Sequence, residues 1–187
     1  MSKRILNRRE FLRTAATVAA TVVVAASGAT TILASNGAWA MELKALPAHE
    51  AEVLLAMTRR LYPHEMLGDI YYAEVVEAFD AKVQADADLA GTVKAGVAEL
   101  DNTFGVPFMR LSPGVQLEAL KRMEGGPFFQ AIRGHTVVAL YGNKIVWPNF
   151  GYQGASAQDG GYLFRGFQDV GWTMEPDAEA SPPPFLG

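Results

Sequence analysis

Three histidines, His49, His64 and His135, are the side chains best suited to acid–base chemistry or metal ligation. Only His64 has company: Tyr62-Pro63-His64-Glu65-Met66-Leu67-Gly68-Asp69 gathers an imidazole and two carboxylates within one turn. For a metal the pattern is poor, because no second histidine lies at i+4 and Pro63 and Gly68 interrupt any helix. The expectation is therefore structural: His64 and Asp69 bond backbone groups at a turn between helices. His49 reads as a solvated first-turn residue, and His135, just after Gly134, as facing polar surroundings on its helix. No GxGxxG following a strand, P-loop, HExxH or CxxCH occurs. A Ser/His/Asp order with a nucleophile elbow is also missing, and Asp86/Asp88 and Glu175/Asp177 read as solvated surface. The chain has no cysteine, which excludes disulfides, thiolate zinc sites, Cys-ligated iron–sulfur clusters and covalently attached c-type haem. Catalysis by this chain alone is not expected, and no residue is assigned a catalytic, cofactor-binding or metal-binding role.

The elements around these residues read as helices. Pro47 sits at a plausible first helical position, and Val53, Leu54, Met57 and Leu61 follow at three-to-four spacing. Tyr62-Pro63 ends that helix, since the residue before proline is pushed out of the α region. A second amphipathic run covers about 71–87, with Val75, Val76, Phe79 and Val83 on one face. A third covers 88–104 with Leu89, Val93, Val97, Leu100 and Phe104, weakened at Gly91 and Gly96. Ser112-Pro113 supplies an N-cap and a first-turn proline for a short helix through Met123, with Leu117 and Leu120 inward. After Gly125-Gly126-Pro127 a last helix carries Phe128, Phe129, Ile132 and Leu140. The fold class is all-α: a small helical bundle at 41–141, followed by a long irregular tail at 142–187.

Charge divides the chain differently. Of 16 Lys and Arg and 20 Asp and Glu in 187 residues, the first 40 residues hold five bases and one acid. The remaining 11 bases and 19 acids give the body a net charge of −8, a balance that argues against nucleic-acid binding. The basic start is followed by an uncharged Ala/Thr/Val stretch and then by Ala38-Trp39-Ala40. That small-x-small tripeptide is the signal-peptidase pattern, with Met41 as the new first residue. Asn7-Arg8-Arg9-Glu10-Phe11-Leu12 resembles the twin-arginine signature, with Arg8, Arg9, Phe11 and Leu12 all in place. Residues 1–40 are thus expected to be a twin-arginine export signal, cut after Ala40. An uncleaved anchor over 15–33 and a general secretory signal are the alternatives. The twin-arginine route moves folded proteins, typically those that take up a cofactor first. An export leader without a cofactor motif suggests that the passenger is a second polypeptide.

The 46 tail residues contain eight glycines, five prolines and eight of the chain's 19 aromatics. Aromatic side chains bury about 150–250 Å² each and dominate interface energetics. The tail is therefore expected to drape over the body and meet a partner through Trp147, Phe150, Tyr152, Tyr162, Phe164, Phe167 and Trp172, with packing wholly on its own bundle as the alternative; Tyr62 and His64 of the turn are added to that interface.

Two sets of residues carry a resemblance. Leu61-Tyr62-Pro63-His64 with Gly68-Asp69 resembles a block of the gluconate 2-dehydrogenase subunit 3 family. Tyr141-Gly142-Asn143-Lys144-Ile145-Val146-Trp147, Gly151-Tyr152-Gln153-Gly154, Gly160-Gly161-Tyr162 and Arg165-Gly166-Phe167 resemble that family's tail. The resemblance implies a non-catalytic small subunit that helps fold and export a large subunit of the glucose–methanol–choline type, which carries the FAD. It also implies association with a membrane multihaem cytochrome c, passage through the Tat translocase and a periplasmic location. From the residues alone, a free-standing periplasmic module binding a small ligand remains the alternative.

Overall fold

The computed structural model describes residues 20–24, 30–34 and 40–161. The expectations placed on Arg8, Arg9, Phe11, Leu12, Ala38, Tyr162, Phe164, Phe167 and Trp172 lie outside the described residues. The chain divides into two units, residues 1–150 and 151–187.

The first unit is mostly helical. Its helices are α1 (Ala48–Leu61), α2 (Asp69–Ala85), α3 (Ala87–Asn102), α4 (Pro113–Arg122) and α5 (Pro127–Gly142). Spacing on the sequence located all five within two residues, because each carries one apolar stripe at helical period. Helix α1 packs against each of the other four. That central position explains its continuous buried run, Val53 to Thr58. Two details differ from expectation. Leu117 points to solvent, and Gln116 turns inward instead, where its amide donates to the Phe108 carbonyl. Ser112 occupies the N-cap position of α4 but its side chain makes no cap bond. Asp86, exposed as its sequence suggests, also caps α3, accepting from the amides of Asp88 and Leu89.

Gly96, which weakens α3 as an isolated helix, is required by the packing. A β-carbon there would lie 2.1 Å from Cγ of Phe128 on α5, far inside van der Waals contact. The two helices meet closely at this point because one of them has no side chain.

An all-α reading is incomplete. Strands β1 (Ala20–Val24), β2 (Thr30–Ala34) and β3 (Ala40–Leu43) form an antiparallel sheet in the order β1-β2-β3. Thr and Val at 21–24 and Thr30-Thr31-Ile32 are β-branched, which disfavours helix and suits a pleated surface. Ile32 pairs with Met41, and both are wholly buried. The other edge of β3 lies against α2, where Asp80 accepts three backbone amides: Lys44 at 2.8 Å, Ala45 at 2.9 Å and Leu46 at 2.7 Å. Glu77 accepts a fourth, from Glu42, at 3.3 Å. No helix among the described residues is long and apolar enough to cross a membrane.

The described part of the second unit, residues 151–161, contains a single short 3-10 turn, Ser156–Asp159. Gly160 closes it at φ 86° and Gly161 follows at φ 80°, its amide reaching back to Ser156 at 2.8 Å. Only glycine adopts two such angles in succession without strain.

Candidate functional site

The turn after α1 and the chain leaving α5 come together at one end of the bundle. Tyr62 ends α1 and His64 follows Pro63; Tyr141 lies in the last turn of α5, and Trp147–Phe150 form a 3-10 turn beyond it. Four of the expected interface residues, Tyr62, His64, Trp147 and Phe150, thus share one cluster. What joins them is Tyr141, which opens one of the resemblance blocks but was not among the expected interface residues. His64 Nε2 lies 2.5 Å from the Tyr141 hydroxyl. The Tyr141 ring meets Tyr62 edge-on at 5.9 Å and Phe150 at 5.4 Å, and Phe150 meets the His64 ring at 4.8 Å. Trp147 donates its indole N–H to the Tyr141 carbonyl at 2.7 Å.

The turn itself is held from below by two further residues. The Tyr72 hydroxyl donates to the Tyr62 carbonyl and accepts from the His64 amide. Arg59 Nη1 donates to the carbonyls of His64 and Leu67, at 3.0 and 2.8 Å, while its Nε faces Asp69 at 3.4 Å. The Arg59 guanidinium also sits over the Tyr72 ring. The expected roles are therefore redistributed. Arg59 and Tyr72 hold the turn backbone, Asp69 orients Arg59, and the His64 side chain reaches across to α5. Nothing in the local sequence could have paired positions 64 and 141, which lie 77 residues apart.

Electrostatics keeps the His64–Tyr141 pair neutral. Desolvation, and then the Arg59 charge, lowers the His64 pKa below the usual imidazole value. Desolvation, with Tyr62 and Tyr72 nearby, raises that of Tyr141. Both shifts oppose proton transfer from phenol to imidazole. The hydrogen bond between them ties the turn to the last turn of α5.

His49 is exposed in the first turn of α1, as its sequence suggests, and pairs with Asp101 at 2.6 Å. His135 differs from expectation: it is half-buried against Phe79, with Nε2 bonded to the Val75 carbonyl at 2.9 Å and Nδ1 buried without a partner. A second proton on that ring would have no acceptor, and desolvation accordingly lowers its pKa. A histidine whose folded pKa lies below its unfolded value takes up its proton preferentially in the unfolded chain, so stability falls as pH drops below about 6.5. Urea titrations at pH 7 and pH 5 are expected to show a lower midpoint at pH 5. Substituting both His64 and His135 by glutamine should flatten that difference.

Among the described residues, no group of three His, Cys, Asp or Glu side chains could hold a metal ion. A cavity of about 540 Å³ opens between α3 and the α4–α5 junction, lined by Thr92, Gly96, Glu99, Arg122 and Phe128 among others. It shares no residue with the aromatic cluster. Around that cluster Phe150 keeps 37% of its surface exposed, Ile145 65% and Met66 58%. Tyr152, in the second unit, is exposed. In the first unit the His64 and Trp147 ring nitrogens are both hydrogen-bonded to Tyr141, while Met66, Ile145 and Phe150 stay exposed. In comparisons with known proteins the chain matches no family model, no curated protein and no solved structure.

Proposed function

We propose that this chain is the non-catalytic small subunit of an exported, flavin-dependent sugar or alcohol dehydrogenase. In this reading it docks in the cytoplasm on an FAD-bearing large subunit of the glucose–methanol–choline type and assists its folding. Its twin-arginine leader then carries both across the membrane to the periplasm, where a multihaem cytochrome c can hold the complex at the membrane. The observation that carries this reading is the meeting of the 62–69 turn with residues 141–150. Its polar atoms are turned onto one another, while Phe150, Ile145 and Met66 remain uncovered. Exposed aromatic and aliphatic groups around satisfied polar ones are the composition of a protein interface. The family resemblance at the same two blocks supports the choice of partner.

The test is export in pairs. A flavin-containing polypeptide without its own leader should co-purify with the tagged chain from the producing cells. Replacing Arg8 and Arg9 by lysine should strand both chains in the cytoplasm, lowering the periplasmic flavoprotein at least tenfold. A large subunit that reaches the periplasm undiminished beside the lysine variant would refute the escort role.

A further inference from the structure

We propose that removal of the leader is gated by strand pairing: the Ala40–Met41 bond stays closed while β2 is paired with β3. This rests on the reading of residues 1–40 as a cleavable leader. The expected cleavage point does not lie in an open linker. Ala40 pairs with Leu33 and Met41 with Ile32, so the scissile bond is the first peptide of a paired strand. Met41 and Ile32 both have 0% of their surface exposed. A peptidase binding its substrate as an added extended strand needs a free backbone edge and side chains that can enter its own pockets. Met41 offers neither.

The outer edge of β3 is closed as well. Glu77 and Asp80 of α2 accept from Glu42, Lys44, Ala45 and Leu46. Of the two edges, the one facing β2 is the one that can open, because β2 belongs to the leader while Asp80 is buried in the body. Opening it frees the scissile bond and takes Ile32 out of the core in the same motion. The backbone groups of Met41 and Leu43 that face β2 then lose their partners. Processing is thereby tied to whatever event separates the two strands, instead of following exposure of the tripeptide alone.

The absence of cysteine makes the test clean. Thr31 and Glu42 are opposed in the register. Opposed Cα atoms in antiparallel strands lie about 4.5–5.5 Å apart, within the span of a disulfide. The full-length chain carrying Thr31→Cys and Glu42→Cys would be oxidised, or left reduced, and offered to purified leader peptidase in detergent micelles. A synthetic peptide spanning residues 20–50 serves as the unpaired substrate. The two thiols are expected to oxidise fully. The peptide should be cut readily, the reduced chain more slowly, and the oxidised chain at least a hundredfold more slowly than the peptide. An oxidised chain cut as fast as the peptide overturns the gate and leaves the leader reading standing. A peptide that is not cut overturns the leader reading and the gate with it. Thiols that fail to oxidise overturn the strand pairing itself.

Discussion

Replacing Asp80 by alanine is expected to lower the unfolding free energy by about 4 kcal/mol, since three charge-assisted hydrogen bonds are lost and three amides are stranded. The carboxylate is buried, and it is where β3 and the entry to α1 are fastened to α2. One oxygen takes the amides of Ala45 and Leu46, the other that of Lys44. That division makes asparagine an informative second variant. Its single carbonyl can keep the Ala45 and Leu46 bonds, but its amide group then faces the Lys44 N–H, donor against donor. An intermediate loss of about 2 kcal/mol is expected. Glu77 makes one longer bond at an exposed position, so its alanine variant should lose well under about 1 kcal/mol. Urea unfolding with an unchanged slope measures all three. Equal losses for Asp80→Ala and Glu77→Ala would show that burial does not set the value of this carboxylate. Against a typical total of about 5–15 kcal/mol, the alanine variant removes a large share of the fold's margin.

Asp80 also marks where legibility in the sequence ends. Val75, Val76, Phe79 and Val83 announce the buried face of α2 by their spacing, and all four are buried. An acid next to Phe79 gives no local sign that it turns inward, because its partners lie 34 to 36 residues upstream. Strands β1 and β2 were hidden for another reason. An uncharged Ala/Thr/Val run has no period of two, and it satisfies the pattern of a leader core as well as that of a strand. Gly96 shows the same limit from the packing side: its cost to α3 is local and visible, whereas its use lies in the approach of Phe128. At the site, the residue types at 62, 64, 147 and 150 pointed to contact. The grouping, however, needed Tyr141, a half-buried tyrosine on a helix whose role exists only once the turn is brought to it.

The second large effect is expected at Phe150. Its ring is split between two tasks: one side packs on His64 and Tyr141, and 37% of its surface stays open. Phe150→Asp should weaken binding of the proposed flavoprotein partner by at least thirtyfold, the scale of a central aromatic contact worth about 2 kcal/mol. It should change the melting temperature of the chain alone by only a few degrees, because the His64–Tyr141 bond and the Trp147 indole bond do not depend on the ring. Phe150→Leu, which stays apolar, should retain most of the affinity. Binding measured on purified chains separates this from a folding defect. A chain lacking residues 151–187 divides the remaining possibilities. If that chain still binds and Phe150→Asp does not, the rim of the bundle is the docking surface. If Phe150→Asp binds normally while the shortened chain does not, docking belongs to the last residues alone. The convergence of turn and tail would then serve only to close the end of the bundle.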